Sequence, residues 1–353
     1  MQAWRVHRHG EPAAVFVLDD IAEPTAADLD GMGMHMSGWV PVGPGIEPFG
    51  DWVILRMTVA ALALPDVTMA RGTYPVPVAM PYVSGQEGVG IVTAAAPARQ
   101  DLLGKRVAAV CIQPFGSLAP VAVGISTMFE VPDSMSDEDA AGFMIPAHTA
   151  WHAVHRRGQV QAGETVGVLG AAGGLGAAIV QLCVAAGCDV VAVVGGAEKA
   201  AVVEGLGARA VDHSAGSVPE RQWEDVVEGV RAATGGRGLD VIIDPVQGEA
   251  GARLRDLLVP DGRHVLCGHA GGLLAHDPHF YVRNHTLVGA TLGGYPRDEM
   301  RRIHHETQDA IEVLLADGKY KPLVSRCVDF ADVPAAVTDL AERRTWGRVV
   351  VRI

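Results

Sequence analysis

The stretch that most limits how this chain can fold is TVGVLGAAGGLG, residues 165–176. A five-residue apolar run meets a cluster of glycines, and Leu175, Ile179, Leu182 and Ala186 then recur at helical spacing. A second apolar run, DVVAVV, follows at 189–194. Strand, glycine turn, helix and strand in that order predict a right-handed βαβ unit and a parallel sheet. The turn reads AxGxxG, with Ala171 where the first glycine of a GxGxxG fingerprint sits. Gly173 lets the backbone approach a pyrophosphate, Gly176 lets the helix pack on the strand, and the helix start offers free N–H groups. A merely tight strand–helix turn would need none of the flanking order. Ala171, Ala172, Gly173, Gly174, Leu175 and Gly176 are therefore the candidate dinucleotide-binding segment.

The alternation continues through ARAVDH, a helix around WEDVVEGVRAAT, the strand LDVIIDPV, a helix through ARLRDLLVP, and the strand GRHVLCGH. Before it, AWRVH, VFVLDD, DWVILRMTVAA, EGVGIVTAA and KRVAAVC read as short strands between Gly and Pro breaks, which predicts a compact β unit. After it, KPLVSRCVDF and GRVVVRI are again β-like, so the chain returns to complete the first unit. The expected divisions are 1–126, 127–296 and 297–353, and 353 residues suffice for two ordinary domains. The segment 29–45, LDGMGMHMSGWVPVGPG, has no periodicity. It reads as a surface loop, or as a methionine-rich flap over an apolar ligand.

NAD sites place an acidic residue at the end of the second strand, where it binds the ribose 2′-hydroxyl. Here that strand ends in Val194, Gly195 and Gly196, with nothing acidic. The gap has room for a 2′-phosphate, and Lys199 is placed either to pair with it or to stay solvated. The expected cofactor is NADPH. A net charge of −13 without a basic stripe argues against nucleic acid. The long apolar run at 166–180 is too rich in glycine to span a membrane, and no targeting segment is visible. Five cysteines without a CxxC pair fit a reducing, cytoplasmic setting with thiols packed as small apolar groups.

With ALALPDVTMARGTYP, PYVSGQEGVGIV, GKRVAAV, GAAGGLGAAIVQL, LDVIIDPVQG, LVPDGRHVLCG and WGRVVV on view, the chain resembles the medium-chain dehydrogenase/reductase superfamily along nearly its whole length. The nearest likeness is to its zinc-free quinone oxidoreductase branch. The resemblance implies a GroES-like β domain built from both chain ends, a doubly wound Rossmann domain, a cofactor in the cleft between them, and a homodimer. Zinc-dependent members bind their metal through Cys, His and Cys, which by position fall on Ala63, Gln86 and Ile145. Ala and Ile cannot ligate zinc and Gln is a poor ligand, so no metal is expected. The histidines at 264, 269, 276, 279 and 285 match no ligand spacing and read as surface or loop residues.

Without a Lewis acid, the expected substrates are those that accept hydride directly, quinones and enones. Tyr74 stands where related enoyl-thioester reductases carry a tyrosine proposed as proton donor. Alternatively it packs at the cleft wall. The branch usually has Asn where this chain has Ala63, which removes a hydrogen bond near the nicotinamide. The resemblance also implies cofactor contacts from Cys267, Gly268, His269 and Asn284. An enoyl-thioester reductase and a low-turnover NADPH-binding protein stand as alternative readings.

Overall fold

The alternation from Thr165 onward forms one parallel sheet. Its strands are β1 (Thr165–Leu169), β2 (Asp189–Val194), β3 (Arg209–Asp212), β4 (Leu239–Asp244), β5 (Leu258–Leu266) and β6 (Thr286–Gly289). They lie in the order β3-β2-β1-β4-β5-β6, every pairing parallel. The structure is a computed structural model that describes residues 1–35, 38–41, 50–214, 222–275 and 278–353. Every residue of β1 is buried, as expected of a central strand covered on both faces. Leu169, Val191, Val193, Ile242, Leu254 and Leu258 belong to the core beside it. The helix expected through ARLRDLLVP ends at Arg255. There Leu257 N–H closes onto Leu254 O, and Leu257 O accepts from Leu239 N–H, which delivers Leu258 into β5.

The chain divides into two units, residues 146–321 and residues 1–145 with 322–353. These limits differ from the expected 126/127 and 296/297. Residue 126 lies inside the strand Val121–Glu130, which is hydrogen-bonded to Trp52–Leu62 on one side and Arg106–Cys111 on the other. The helix Arg297–Ala316 stays with the parallel-sheet unit, and the return starts only at Pro322.

In the other unit, Trp52–Leu62 pairs with Glu87–Ala95, that strand with Arg106–Cys111, and that with Val121–Glu130, which pairs back to Trp52–Leu62. Four antiparallel strands thus close a ring. Its walls are tight. A Cβ on Gly88 would lie 2.6 Å from Val59 O, and one on Gly90 would run into Arg56 O. Gly88 and Gly90 of SGQEGVG are therefore set by backbone approach within the ring. The returning strand Arg348–Arg352 lies antiparallel along Val59–Leu62, and Val324–Asp329 runs parallel beside it. The β unit is built from both ends of the chain. Part of the 29–45 segment is ordered too: Met32–His35 and Gly38–Pro41 form an antiparallel ribbon. Residues 36–37 and 42–45 lie outside the described residues.

One buried ion pair fastens the return. The Arg348 guanidinium is bonded to Glu87 Oε1, and Glu87 Oε2 accepts the Ile145 N–H at 2.7 Å. Both side chains are buried. Losing one partner of such a pair leaves an uncompensated charge, at a cost of about 3–5 kcal/mol. Arg348→Met is therefore expected to lower the stability measured by urea unfolding by about that amount. Adding Glu87→Gln to it should restore much of the loss, and strictly additive losses would refute the coupling.

Candidate functional site

At the C-terminal end of β1 the chain turns at Gly170, whose φ of +58° favours glycine. Gly173 then precedes the helix Gly174–Ala185, and no side chain caps that helix. A Cβ on Gly176 would lie 2.7 Å from Ala171 Cα, so packing alone requires glycine there. Gly173 is different. A Cβ there would find only Gly170 O, at 3.3 Å, so the position faces open space above the turn. Ala171 and Ala172 are buried. The uncapped helix start above a bare backbone shelf fits a pyrophosphate.

β2 ends beside this shelf, with Ala171 N–H donating to Val193 O at 3.3 Å. Gly196 has φ +103°, open to glycine alone without strain, and a Cβ on Gly195 would lie 2.8 Å from His213 Nε2. Lys199 is half-buried in the first turn of the helix Ala197–Gly205. The structure also brings in an acidic group that the sequence reading leaves out. Asp212, at the end of β3, accepts from Gly196 N–H at 2.7 Å and from the Ser214 N–H and hydroxyl at 2.8 Å each. Burial opposes its ionisation, but these donors outweigh it and hold the carboxyl below the usual range. All three bonds end on Oδ1.

The loops after β4 and β5 complete the edge. Cys267 N–H donates to Asp244 O, Ala270 N–H to Pro245 O and Gly271 N–H to Val246 O. Val246 also borders the glycine turn, its Cγ2 lying 3.1 Å from where a Gly170 Cβ would stand. Burial, reinforced by the nearby Asp244, pushes the Cys267 thiol well above its ordinary range, so it stays a thiol and no nucleophile. His269 Nε2 is buried with no hydrogen-bond partner, an atom to which a polar ligand group would answer.

In the β unit, two buried carboxylates organise the three positions that the resemblance matches to metal ligands. Asp66 accepts the Ala63 N–H on Oδ2, and the Ser84 hydroxyl and Gly85 N–H on Oδ1, each at 2.8 Å. Glu87, next to Gln86, accepts from Ile145 N–H. Burial pushes both carboxyls up, against the pull of the Asp66 donors and, for Glu87, of Arg348. The three positions carry Ala63, Gln86 and Ile145, a set that does not fit zinc. Tyr74 follows the helix Leu64–Arg71, its N–H on Thr68 O at 3.1 Å and its ring half-buried against the core that holds Val67 and Leu118.

Two families match the two units. The Alcohol dehydrogenase GroES-like domain covers residues 50–129, and the Zinc-binding dehydrogenase family covers residues 174–312. The chain belongs to the medium-chain dehydrogenase/reductase superfamily, on its quinone oxidoreductase branch. The quinone oxidoreductase-like protein 2 of Rattus norvegicus is 27% identical over 319 residues, 89% of this chain and 86% of that one. The quinone oxidoreductase of Thermus thermophilus, solved alone and in complex with NADPH, aligns over 100% of both chains at 28% identity with a TM-score of 0.75. A phenolphthiocerol/phthiocerol polyketide synthase of Mycobacterium tuberculosis is 29% identical over 318 residues, 87% of this chain. The chain spans only 14% of that synthase's length.

Within this superfamily chain, the structure gathers residues 170–176, Gly195, Gly196, Cys267, Gly268 and His269 at the carboxyl edge of the sheet, where open α/β sheets bind ligands. Asn284 is not among them. It lies exposed just before β6, at the amino edge, with φ +57°, the left-handed turn that asparagine tolerates. It is a turn residue and leaves the cofactor set. His264 is no loop histidine: it is fully buried in β5, its Nε2 2.8 Å from Asp244 Oδ2. His276 lies outside the described residues. Among the cysteines, Cys111 and Cys183 are buried but Cys327 is exposed.

Sequence reasoning missed a pair in the parallel-sheet unit. Tyr295, in the loop leaving the carboxyl end of β6, has its hydroxyl 3.1 Å from His152 Nε2. Burial and the charges of Arg156 and Arg157 lower the His152 pKa to about 4, so the ring is neutral at pH 7. His152 opens a π-helical turn, His152–Arg157. Periodicity gives no sign of such a turn.

The two glycines make opposite demands. Gly173→Val is expected to keep its thermal midpoint but lose dinucleotide binding in a calorimetric titration, whereas Gly176→Val should lower the midpoint or fail to fold. A folded Gly173→Val variant with wild-type affinity would remove the shelf from the cofactor site.

Proposed function

We propose that this protein is a zinc-independent, NADPH-dependent reductase that delivers hydride to a quinone or an enone. The observation that carries the reading is the open backbone shelf at Gly173 in a chain whose metal-ligand positions are filled by Ala63, Gln86 and Ile145. The NADPH complex of the Thermus relative supports the choice of cofactor. When bound, NADPH supplies the hydride. The glycine turn would hold its pyrophosphate, Lys199 its 2′-phosphate, and the 267–269 backbone its nicotinamide half. Tyr74 would hold the proton that the reduced substrate takes up. Among the described residues no helix is long and apolar enough to cross a membrane. The scattered cysteines support a cytoplasmic setting, and we read the protein as a homodimer. Exposed Leu287 on the edge strand β6, with exposed Tyr281 and Val282 before it, offers the apolar surface for a second copy.

A second reading, reduction of an enoyl thioester, is favoured by the likeness to a polyketide synthase. The experiment that separates the readings is NADPH oxidation measured across quinones, enones and enoyl thioesters, with and without chelator. Turnover on quinones or enones that survives the chelator supports the first reading. Loss of activity together with one zinc per chain would sink it.

NADPH is expected to bind more tightly than NADH, with Lys199→Ala narrowing the gap by weakening NADPH about tenfold or more, the scale of a charge-assisted phosphate contact. Asp212 sharpens this test, because a protein that prefers NADH would be using that carboxylate for the ribose.

Tyr74→Phe distinguishes the substrate classes. Alkene reduction leaves an enolate that needs a proton, and a positioned acid contributes about 10²–10⁴-fold to that step. A hydroquinone anion takes its proton from water. Strong loss of kcat/KM on an enoyl thioester with little loss on a quinone is expected, and equal small losses on both would take Tyr74 out of the chemistry.

A further inference from the structure

Gln247 follows the Asp244-Pro245-Val246 turn at the carboxyl end of β4. Its backbone sits at φ +58°, ψ −144°, a region that residues other than glycine keep only where their surroundings over-determine it. Those surroundings are on view. Asp244 Oδ1 accepts the Val246 N–H at 2.8 Å and the Gln247 N–H at 2.6 Å, while its Oδ2 is held by the buried His264. The Gln247 side chain then reaches into the neighbouring loop with both ends of its amide. Nε2 donates to Gly268 O, and Oε1 accepts the Leu274 N–H at 3.0 Å.

One side chain thus fastens the loop 268–274 at its first and last residues. Between those points the two loops lie backbone on backbone. A Cβ on Gly268 would stand 3.0 Å from Pro245 Cα, and one on Gly271 would stand 3.2 Å from Val246 O. The loop carries His269, whose buried Nε2 has no partner. Strain retained next to an unsatisfied polar atom is the pattern of a ligand site set in advance.

We propose that Gln247 is a positioning residue for the nicotinamide half of the dinucleotide. It holds the 267–274 loop in the one shape that aims the backbone of Cys267 and Gly268, and the ring of His269, at that half. The proposal rests on the reading of the glycine turn as a dinucleotide shelf. It predicts a division of labour: the adenosine half is bound without Gln247, and the nicotinamide half is not.

The test is calorimetric titration of the full chain with NADPH and with 2′,5′-ADP, which carries only the adenosine half. Gln247→Gly relaxes the backbone and removes the amide. Gln247→Glu keeps shape and length but replaces the Nε2 donor with an oxygen facing Gly268 O, and it serves if the glycine variant does not fold. Either variant should bind NADPH about tenfold more weakly, the scale of one lost hydrogen bond in a buried setting, and 2′,5′-ADP as wild type does. Unchanged NADPH affinity would overturn the proposal, and so would equal weakening of both ligands, which a general packing role would give. Wild type that binds neither compound would instead refute the shelf itself, and NADH with 5′-AMP makes the same comparison if NADH is the dinucleotide held.

Discussion

A carboxylate with no access to water has to be matched by donors or a cation, and Glu87 is such a carboxylate. Its two oxygens meet different parts of the chain, Arg348 from the returning end and the Ile145 N–H at the last residue before the parallel-sheet unit. The ring of strands, the return and the exit of the chain are therefore fixed to one another at a single buried charge. Neighbouring Asp66 repeats the device with three neutral donors and ties Ala63 to Ser84 and Gly85. These carboxylates explain how this rim keeps its shape although Ala63 and Ile145 offer it only their main chain.

The parallel-sheet unit is built by a different means. Its shelf is made of backbone: the turn at Gly170, the open face at Gly173, the free helix start and the doubled glycines after β2. Backbone N–H groups and a helix dipole suit a pyrophosphate whatever is attached to it. In the proposed function, choice among dinucleotides falls to the few side chains that follow β2 and β3, Lys199, Asp212 and His213, and to the loops after β4 and β5.

Much of this is legible in the sequence because it depends on local pattern. The run TVGVL, the glycines and the spacing of Leu175, Ile179 and Leu182 define β1, its turn and its helix with no distant information. The strand at 258 reads as helix because Leu257 and Leu258 fit a helical period, and only the bond from Leu239 to Leu257 O decides otherwise. Asp212 is invisible for a related reason. It is 16 residues from Gly196, and what brings it there is the parallel pairing of β2 with β3. Asn284 misleads in the opposite sense, since the resemblance that suggests it does not show that it stands at the amino edge of the sheet. His264 reads as a loop residue because spacing alone does not show Asp244, its buried partner across the sheet.

The returning strand Arg348–Arg352 has one further meaning, which concerns the order of assembly. The parallel-sheet unit draws all its strands from residues 165–289, so it can close while the end of the chain is still being made. The β unit cannot. Until residues 348–352 arrive, the Val59–Leu62 edge keeps unpaired backbone groups, and Glu87 waits for a cation 261 residues downstream. Exposed strand edges template wrong pairing, and contacts of such long range form late. The unit that starts first in the chain thus finishes last, and the nascent protein passes through a period in which the parallel sheet is complete while the Val59–Leu62 edge is still bare.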